Sequence, residues 1–418
     1  MQDAEVALSH AEPMGPIRAQ APESASPADA GSGEAIGTEA PAPAGLDLVR
    51  MSQKDEAILA PAAQGTAYLT LDPDLQKTAL QLMSDRRVPE GAIVVIEVTT
   101  GRLLAYASHV ETAPRRDLCV EATAPSASVF KIVTAAALIE DAHLDPETKQ
   151  CYSGGEQRIN AADLVDDPRR DKACATLASA LGRSINTVFA RLANTYLSPT
   201  QLEAMARRFG YGAELAFDVP VQPSALTIPV EPLEFARTAA GFWNTTLSPL
   251  EAAEISAIVA HGGEAVRPRI VEKIVSEAGT VAWSAPKTPA SHRVIAPETA
   301  EQLETMMEHT IGEGTSMHAF HDPRGAPFLP GIAVAGKTGT LTDADTHRYY
   351  SWFTGFAPSH PQPGESQVAV ASLIVNGPVW RVKANVVARD VLRAYFAERD
   401  AKGVTRPSLS SIARRRTR

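Results

Sequence analysis

The sequence predicts a mixed α/β chain whose antiparallel sheet is assembled from segments far apart in the sequence, with helices between them. Three observations carry this. AIVVIEV (92–98) and RLLAYAS (102–108) flank the short turn TTG (99–101), the pattern of an antiparallel hairpin. A second β-rich region, IAVAGKTGT (332–340), YSWFTGFA (350–357) and VAVASLIVNG (368–377), lies near the other end. Between them, about 128–260 reads as mostly helical. Strands at both ends with helices in the middle argue for one domain rather than two.

Taken in order, residues 1–64 are rich in Ala, Pro, Gly, Ser and Glu, and the first aromatic is Tyr68. Such a stretch buries too little apolar surface to offset its ordering entropy, so a disordered leader or linker is expected there. The folded domain is expected over 65–400. It opens near YLTLDPDLQ (68–76), where Asp74 is the expected cap of a helix over roughly 75–84. WRVKANVVARDVLRAYFAERD (380–400) has the spacing of an amphipathic helix, and 401–418 is expected to be a basic flexible tail.

The 418 residues carry a net charge of −10, split unevenly. Residues 1–60 hold ten acids against three Lys/Arg, and the tail from Ala401 holds six Lys/Arg and no acid. The folded part is acidic, which argues against nucleic-acid binding. The tail ARRRTR reads as a solvated end. The first thirty residues lack the basic start and apolar core of an export signal, and no run approaches the ~18 apolar residues of a membrane span. Three cysteines, Cys119, Cys151 and Cys174, allow one disulfide in an oxidising compartment, with 151–174 the preferred pair, or three free thiols.

The chemistry is concentrated in three short stretches. APSASVFKIVTAAAL (124–138) places Ser128 and Lys131 one turn apart at the start of an otherwise apolar helix. Positions i and i+3 share a helix face. A serine hydroxyl needs a base to become a nucleophile, and burial disfavours the charged form of lysine. The pair therefore reads as an activated serine. GRSINTVFARLA (182–193) carries Ser184 and Asn186 in helical sequence, and AVAGKTGTLTD (333–343) carries Lys337, Thr338, Gly339 and Thr340 after an apolar strand. Alone, each is weak: Ser284 and Lys287 repeat the S-x-x-K spacing across a proline, and Ser184 and Asn186 are common helix-cap types. Together, S-x-x-K, S-x-N and K-T-G in this order form the serine set of class A β-lactamases and penicillin-binding proteins.

On these motifs the chain resembles the transpeptidase domain of penicillin-binding proteins over roughly residues 65–400. LTLDPDLQ, the TTGRLLAYAS hairpin, LSPLEAAEISAIVAHGG (247–263) and YYSWFTGFAP (349–358) extend the likeness. Ile185 departs from S-D-N at a position where the family commonly keeps only the outer residues. The resemblance implies a five-stranded antiparallel sheet flanked by helices, an all-helical lobe carrying Ser184 and Asn186, and a site in the cleft between them. It implies a D,D-transpeptidase acting on peptidoglycan stem peptides outside the cytoplasm, without metal or cofactor, and trapped by β-lactams. Ser128 would be the nucleophile, Lys131 its base, Ser184 a proton relay and Asn186 a ligand of the substrate amide. Lys337 would be a fixed charge for the substrate carboxylate, aided by Thr338 and Thr340. Gly339 would let the substrate backbone lie close, and the N–H groups of Ser128 and Thr340 would hold the oxyanion.

The resemblance leaves a D,D-carboxypeptidase, a β-lactamase or a non-catalytic wall-peptide or β-lactam sensor as alternatives. A class A β-lactamase would need a deacylating glutamate in an E-x-x-L-N setting, and the nearest stretch, Glu231-Pro-Leu-Glu-Phe, lacks the Leu-Asn. His318, His321 and Asp322 have the spacing of weak metal ligands on a short polar segment and are set aside. Partners among cell-wall synthesis proteins are not readable.

Overall fold

A computed structural model describes residues 43–401 apart from 113, 156, 157 and 344. The expected leader over 1–42 and tail over 402–418 lie outside the described residues. Order begins earlier than composition suggests. Asp47 caps a 3₁₀ turn (Leu48–Arg50), and β1 (Ser52–Lys54) and β2 (Ala57–Ala62) form a hairpin continued by β3 (Gly65–Leu69). The reading of residues 43–64 as a leader is thus corrected. Their small and proline-rich composition hides two strands that pair with each other and with β3.

Helix α1 (Pro73–Ser84) is capped by Asp72, not Asp74. The Asp72 carboxylate accepts from the N–H groups of Asp74 and Leu75, and Pro73 takes the first position, where no N–H is needed. Its face of Leu75, Ala79 and Met83 is buried. The expected hairpin follows as β4 (Glu90–Glu97) and β5 (Leu103–Val110). A short bridge strand β6 (Ala124–Pro125) leads into a 3₁₀ turn (Ala127–Phe130) and α2 (Lys131–Glu140).

The next lobe is not all-helical. Helices α3 (Leu177–Arg183), α4 (Asn186–Tyr196), α5 (Pro199–Arg208) and α6 (Pro232–Ala239) are preceded by the two-stranded pair β7 (Lys149–Tyr152) and β8 (Ala173–Thr176). Cys151 and Cys174 face each other in that pair and form a disulfide, while Cys119 is free and buried. The short β9 (Thr246–Leu247) pairs with β6 and is followed by α7 (Pro249–Ala260), buried from Pro249 to Val259.

After β10 (Glu264–Val266) come β11 (Val271–Val275) and β12 (Val281–Ser284), which complete a five-stranded sheet in the order β1-β2-β3-β11-β12. This sheet was not foreseen, because it joins strands about 200 residues apart. Ser284, the serine of the second S-x-x-K match, ends β12, the edge strand of that sheet. β13 (Ser291–Arg293), α8 (Pro297–Gly312) and α9 (Met317–Phe320) lead to β14 (Ala335–Asp343), β15 (Arg348–Ala357), β16 (Val368–Asn376) and α10 (Ala384–Ala401).

The central sheet runs β14-β15-β16-β4-β5, all antiparallel, with β14 at an edge. Its inner strands are buried on both faces, and period-two alternation assigns their residues to two cores. Val94, Ile96 and Trp352 join α2 and α7 on one side; Ile93, Val95 and Phe353 join α1 and α10 on the other. The sheet is therefore a rigid plate between helical layers, and its β14 edge is presented to the α3–α4 region.

Candidate active site

Ser128 lies in the 3₁₀ turn that opens α2. The segment before it is pinned from the sheet: Trp352, fully buried on β15, donates its indole N–H to the carbonyl of Pro125 at 2.9 Å. The Tyr211 hydroxyl lies 3.2 Å from Ser126 Oγ. Ala127 has φ +49°, a left-handed conformation costly for a residue with a Cβ. The strain sits immediately before the serine.

Lys131 is fully buried. Its Nζ lies 2.8 Å from Ser128 Oγ and 2.7 Å from Asn186 Oδ1, and it donates to the carbonyl of Ala240. The last two partners are pure acceptors. They fix two N–H directions and leave the third tetrahedral position on the Ser128 hydroxyl. A neutral Lys131 therefore turns its lone pair on the Ser128 proton. Burial, reinforced by the nearby charge of Lys337, holds the Lys131 ammonium well below the ordinary lysine range.

Ser184 does not lie within a helix, as expected, but in the break between α3 and α4, with φ +58°. The left-handed turn ends α3 and allows Asn186 to start α4. It also brings Ser184 Oγ to 3.0 Å from Lys337 Nζ, whose other partner is the carbonyl of Thr338 at 2.9 Å. Lys337 is fully buried, and burial pushes its ammonium down to about 7. Near neutral pH it is therefore poised between its charged and neutral forms.

Two glycines set the approach of these pieces. Gly339 points inward: a Cβ there would lie 3.2 Å from Cβ of both Ala127 and Trp352. Its smallness serves the docking of β14 against the Ser128 turn rather than the approach of a substrate. Gly241, at φ +81°, would place a Cβ 2.4 Å from the Ala127 carbonyl oxygen and 2.9 Å from Ser128 Cα. It lets the carbonyl of Ala240 reach Lys131.

A cavity of about 330 Å³ opens over these groups. Ser128, Ser184, Asn186, Thr338 and Thr340 line it, so the three sequence motifs meet at one place. Lys131 and Lys337 bond to its lining from beneath. Sequence reasoning missed Thr315, whose hydroxyl is 2.5 Å from that of Thr338, and Ser351, Lys383 and Asn385 at the same cavity. The YYSWFTGFAP stretch contains Ser351 and the 380–400 stretch contains Lys383 and Asn385, but no spacing marked any of them as site residues. No carboxylate lines the cavity among the described residues. Glu231 instead caps α6 through the N–H of Glu234.

A model of the penicillin binding protein transpeptidase domain matches residues 91–394. Stage V sporulation protein D of Bacillus subtilis is 26% identical over 291 residues, 65% of this chain and 44% of that protein. Peptidoglycan D,D-transpeptidase PbpA of Mycolicibacterium smegmatis is 25% identical over 349 residues, 75% of this chain and 68% of that one. The chain thus spans under half the length of the first relative. Among solved structures, the D,D-transpeptidase domain of a peptidoglycan glycosyltransferase from Eggerthella lenta aligns with a TM-score of 0.65 at 24% identity, covering 81% of this chain and 84% of that one. The imipenem acyl-enzyme of penicillin-binding protein A from M. tuberculosis aligns with a TM-score of 0.65 at 23% identity, covering 78% and 79%. These two likenesses concern the fold.

Proposed function

The chain belongs to the penicillin-binding protein transpeptidase family, and from that premise we propose that it is a serine D,D-transpeptidase that cross-links peptidoglycan stem peptides through an acyl-enzyme on Ser128. The observation that carries the reading is the buried Lys131 amine 2.8 Å from Ser128 Oγ, oriented by two acceptors.

Ser128 Oγ attacks the carbonyl of the penultimate D-Ala as its proton passes to Lys131. The oxyanion is held by the backbone N–H groups of Ser128 and Thr340, each such donor being worth on the order of 3 kcal/mol. Collapse breaks the peptide bond. The departing D-Ala nitrogen takes a proton through Ser184, whose hydroxyl is resupplied by Lys337, a group that titrates near neutrality. Asn186 would bond the substrate amide through its side-chain amide, while its Oδ1 accepts from Lys131. The Thr338 and Thr340 hydroxyls receive the terminal carboxylate. The amine of a second stem peptide then attacks the ester and gives its proton through Ser184 to Lys337, while Lys131 returns a proton to Ser128 Oγ as the ester breaks and the cross-link forms. Among the described residues no carboxylate lines the cavity to activate water, which counts against the class A β-lactamase reading.

An extracytoplasmic setting suits the Cys151–Cys174 disulfide. No helix among the described residues is long and apolar enough to cross a membrane.

The test is incubation with a labelled penicillin, followed over hours. A stable adduct that disappears in Ser128→Ala and is strongly slowed in Lys131→Ala supports the proposal; rapid release of hydrolysed drug, or no adduct, defeats it. Acyl transfer to an added D-amino acid separates transpeptidation from carboxypeptidation.

A further inference from the structure

Lys337 is buried and bonded to Ser184 and to the Thr338 carbonyl, so the three motifs present no exposed cation at the carboxylate end of the cavity. The sheet register shows where one comes from. Along β14, Thr338 and Thr340 project to one face while Lys337 and Gly339 project to the other. Thr340 pairs with Ser351 on β15, and Thr338 pairs with Phe353, which packs in the core shared with α10. The two threonine hydroxyls therefore face the layer of α10 rather than that of α2.

The amino-terminal end of α10 is fastened at this point. The N–H of Ala384 donates to Ser351 Oγ at 2.9 Å. The residues on either side of Ala384, Lys383 and Asn385, both line the cavity. Lys383 is exposed, and its ammonium has no hydrogen-bond or ion-pair partner among the described residues. Asn385 is 6% exposed; its Nδ2 donates to Ser316 Oγ at 3.2 Å and its Oδ1 is buried without a partner. A hydroxyl can donate as well as accept, so Ser316 satisfies the amide equally after a 180° rotation, which turns the NH₂ to the unpartnered side. The dipole of an 18-residue helix adds positive potential at the same end.

We propose that Lys383 and Asn385 form, with the Thr338 and Thr340 hydroxyls, the subsite that reads the carboxylate of the donor peptide and of β-lactams, Lys383 facing the anion with its exposed ammonium. This rests on the acyl-enzyme reading and adds to it two specificity residues outside the three motifs. Lys383 steers and holds the anion; Asn385 fixes its orientation.

The test compares acylation of the full chain by benzylpenicillin and by its carboxylate methyl ester. Lys383→Ala is expected to slow reaction with the acid roughly tenfold, leave the ester rate unchanged and flatten the salt dependence of the acid reaction; Lys383→Arg restores the acid rate. Asn385→Asp, which faces the substrate with a like charge, is expected to slow the acid more than the ester. Equal effects on acid and ester, or none on either, overturn the subsite while leaving the acyl-enzyme reading intact. Absence of any adduct in the unmodified chain overturns the acyl-enzyme reading and the subsite with it. Unchanged melting temperatures in the Lys383 variants keep the comparison free of folding effects.

Discussion

Lys337 Nζ lies 3.0 Å from Ser184 Oγ, and no solvent reaches it. A lysine at this point is an electrostatic liability to the fold. Unfolded, it binds its proton up to about 10.4; folded, burial lowers that point to about 7. Between these values the unfolded chain holds more protons than the native one, so native stability rises with pH across that window. Below about 7 the folded protein must carry the buried charge, and the penalty is complete.

Lys337→Met therefore raises the melting temperature near pH 7 and flattens its rise between pH 7 and 10, while abolishing transfer of the acyl group. Melting curves at several pH values check the sign: a variant as pH-dependent as the parent would show that Lys337 is charged in the native state. In the parent, acylation of Ser128 increases with pH as Lys131, held below its ordinary range, loses its proton. Because Lys337 must carry the proton it supplies to Ser184, the rate falls again above about 7; a profile with no rising limb on the acid side would rule out Lys131 as the base.

Gly241→Ala tests the scaffold beneath Lys131. The new Cβ would meet the Ala127 carbonyl oxygen at 2.4 Å in a left-handed backbone conformation. The expected cost is at least about 2 kcal/mol of stability, from the conformation and the clash together. Because Ala127 and Ser128 must shift, penicillin acylation should drop at least about a hundredfold even at temperatures where the variant is folded. Denaturant unfolding and adduct kinetics on one preparation separate the two effects.

The parts of this molecule that were legible in the sequence are those with local signals. The β4–β5 hairpin shows itself through continuous apolar runs around a Gly turn, and the motif residues through their types and order. Strands β1 and β2 do not, because their sheet is anchored through β3 on β11, some 200 residues away, and their own residues read as a linker. Asp72 outcompeted Asp74 as the cap of α1 because Pro73 fixes the first helical position after it. Ser184 looked helical since both flanking segments are; its left-handed φ is imposed by the junction of α3 and α4. The carbonyl of Ala240 contributes through backbone alone, which side-chain motifs cannot reveal.

Trp352 lines the cavity and offers a positional test of the Ser128 turn. Its indole N–H is the partner of the Pro125 carbonyl, within a wholly buried contact. Trp352→Phe keeps most of the apolar volume and leaves that carbonyl unpaired, at a cost of about 1–3 kcal/mol. Acylation should slow, with the loss confined to the chemical step rather than to drug binding, because the Ser128 turn loses its tether to β15. An unchanged acylation rate in a folded variant would show that the turn is held by Gly339 packing and the Tyr211–Ser126 contact instead.

The disulfide makes a separate claim about the helical lobe. Cys151 and Cys174 close a loop whose ends are 23 residues apart, and the loop carries Asp171, which pairs with the buried Arg191 of α4. Arg191 also donates to the carbonyl of Cys151 at 2.8 Å, so the covalent bond and the ion pair hold the same segment against the helix that begins with Asn186. Closing a loop of this length is worth about 3 kcal/mol. Replacing both cysteines by serine should lower stability by about that amount, as should adding reductant to the parent, whereas reductant should leave the double variant unchanged. Since Asn186 Oδ1 is one of the two acceptors that orient Lys131, the reduced protein should acylate more slowly while still folded. Equal acylation rates with and without reductant, measured well below the melting temperature, would show that α4 keeps its place without the bond.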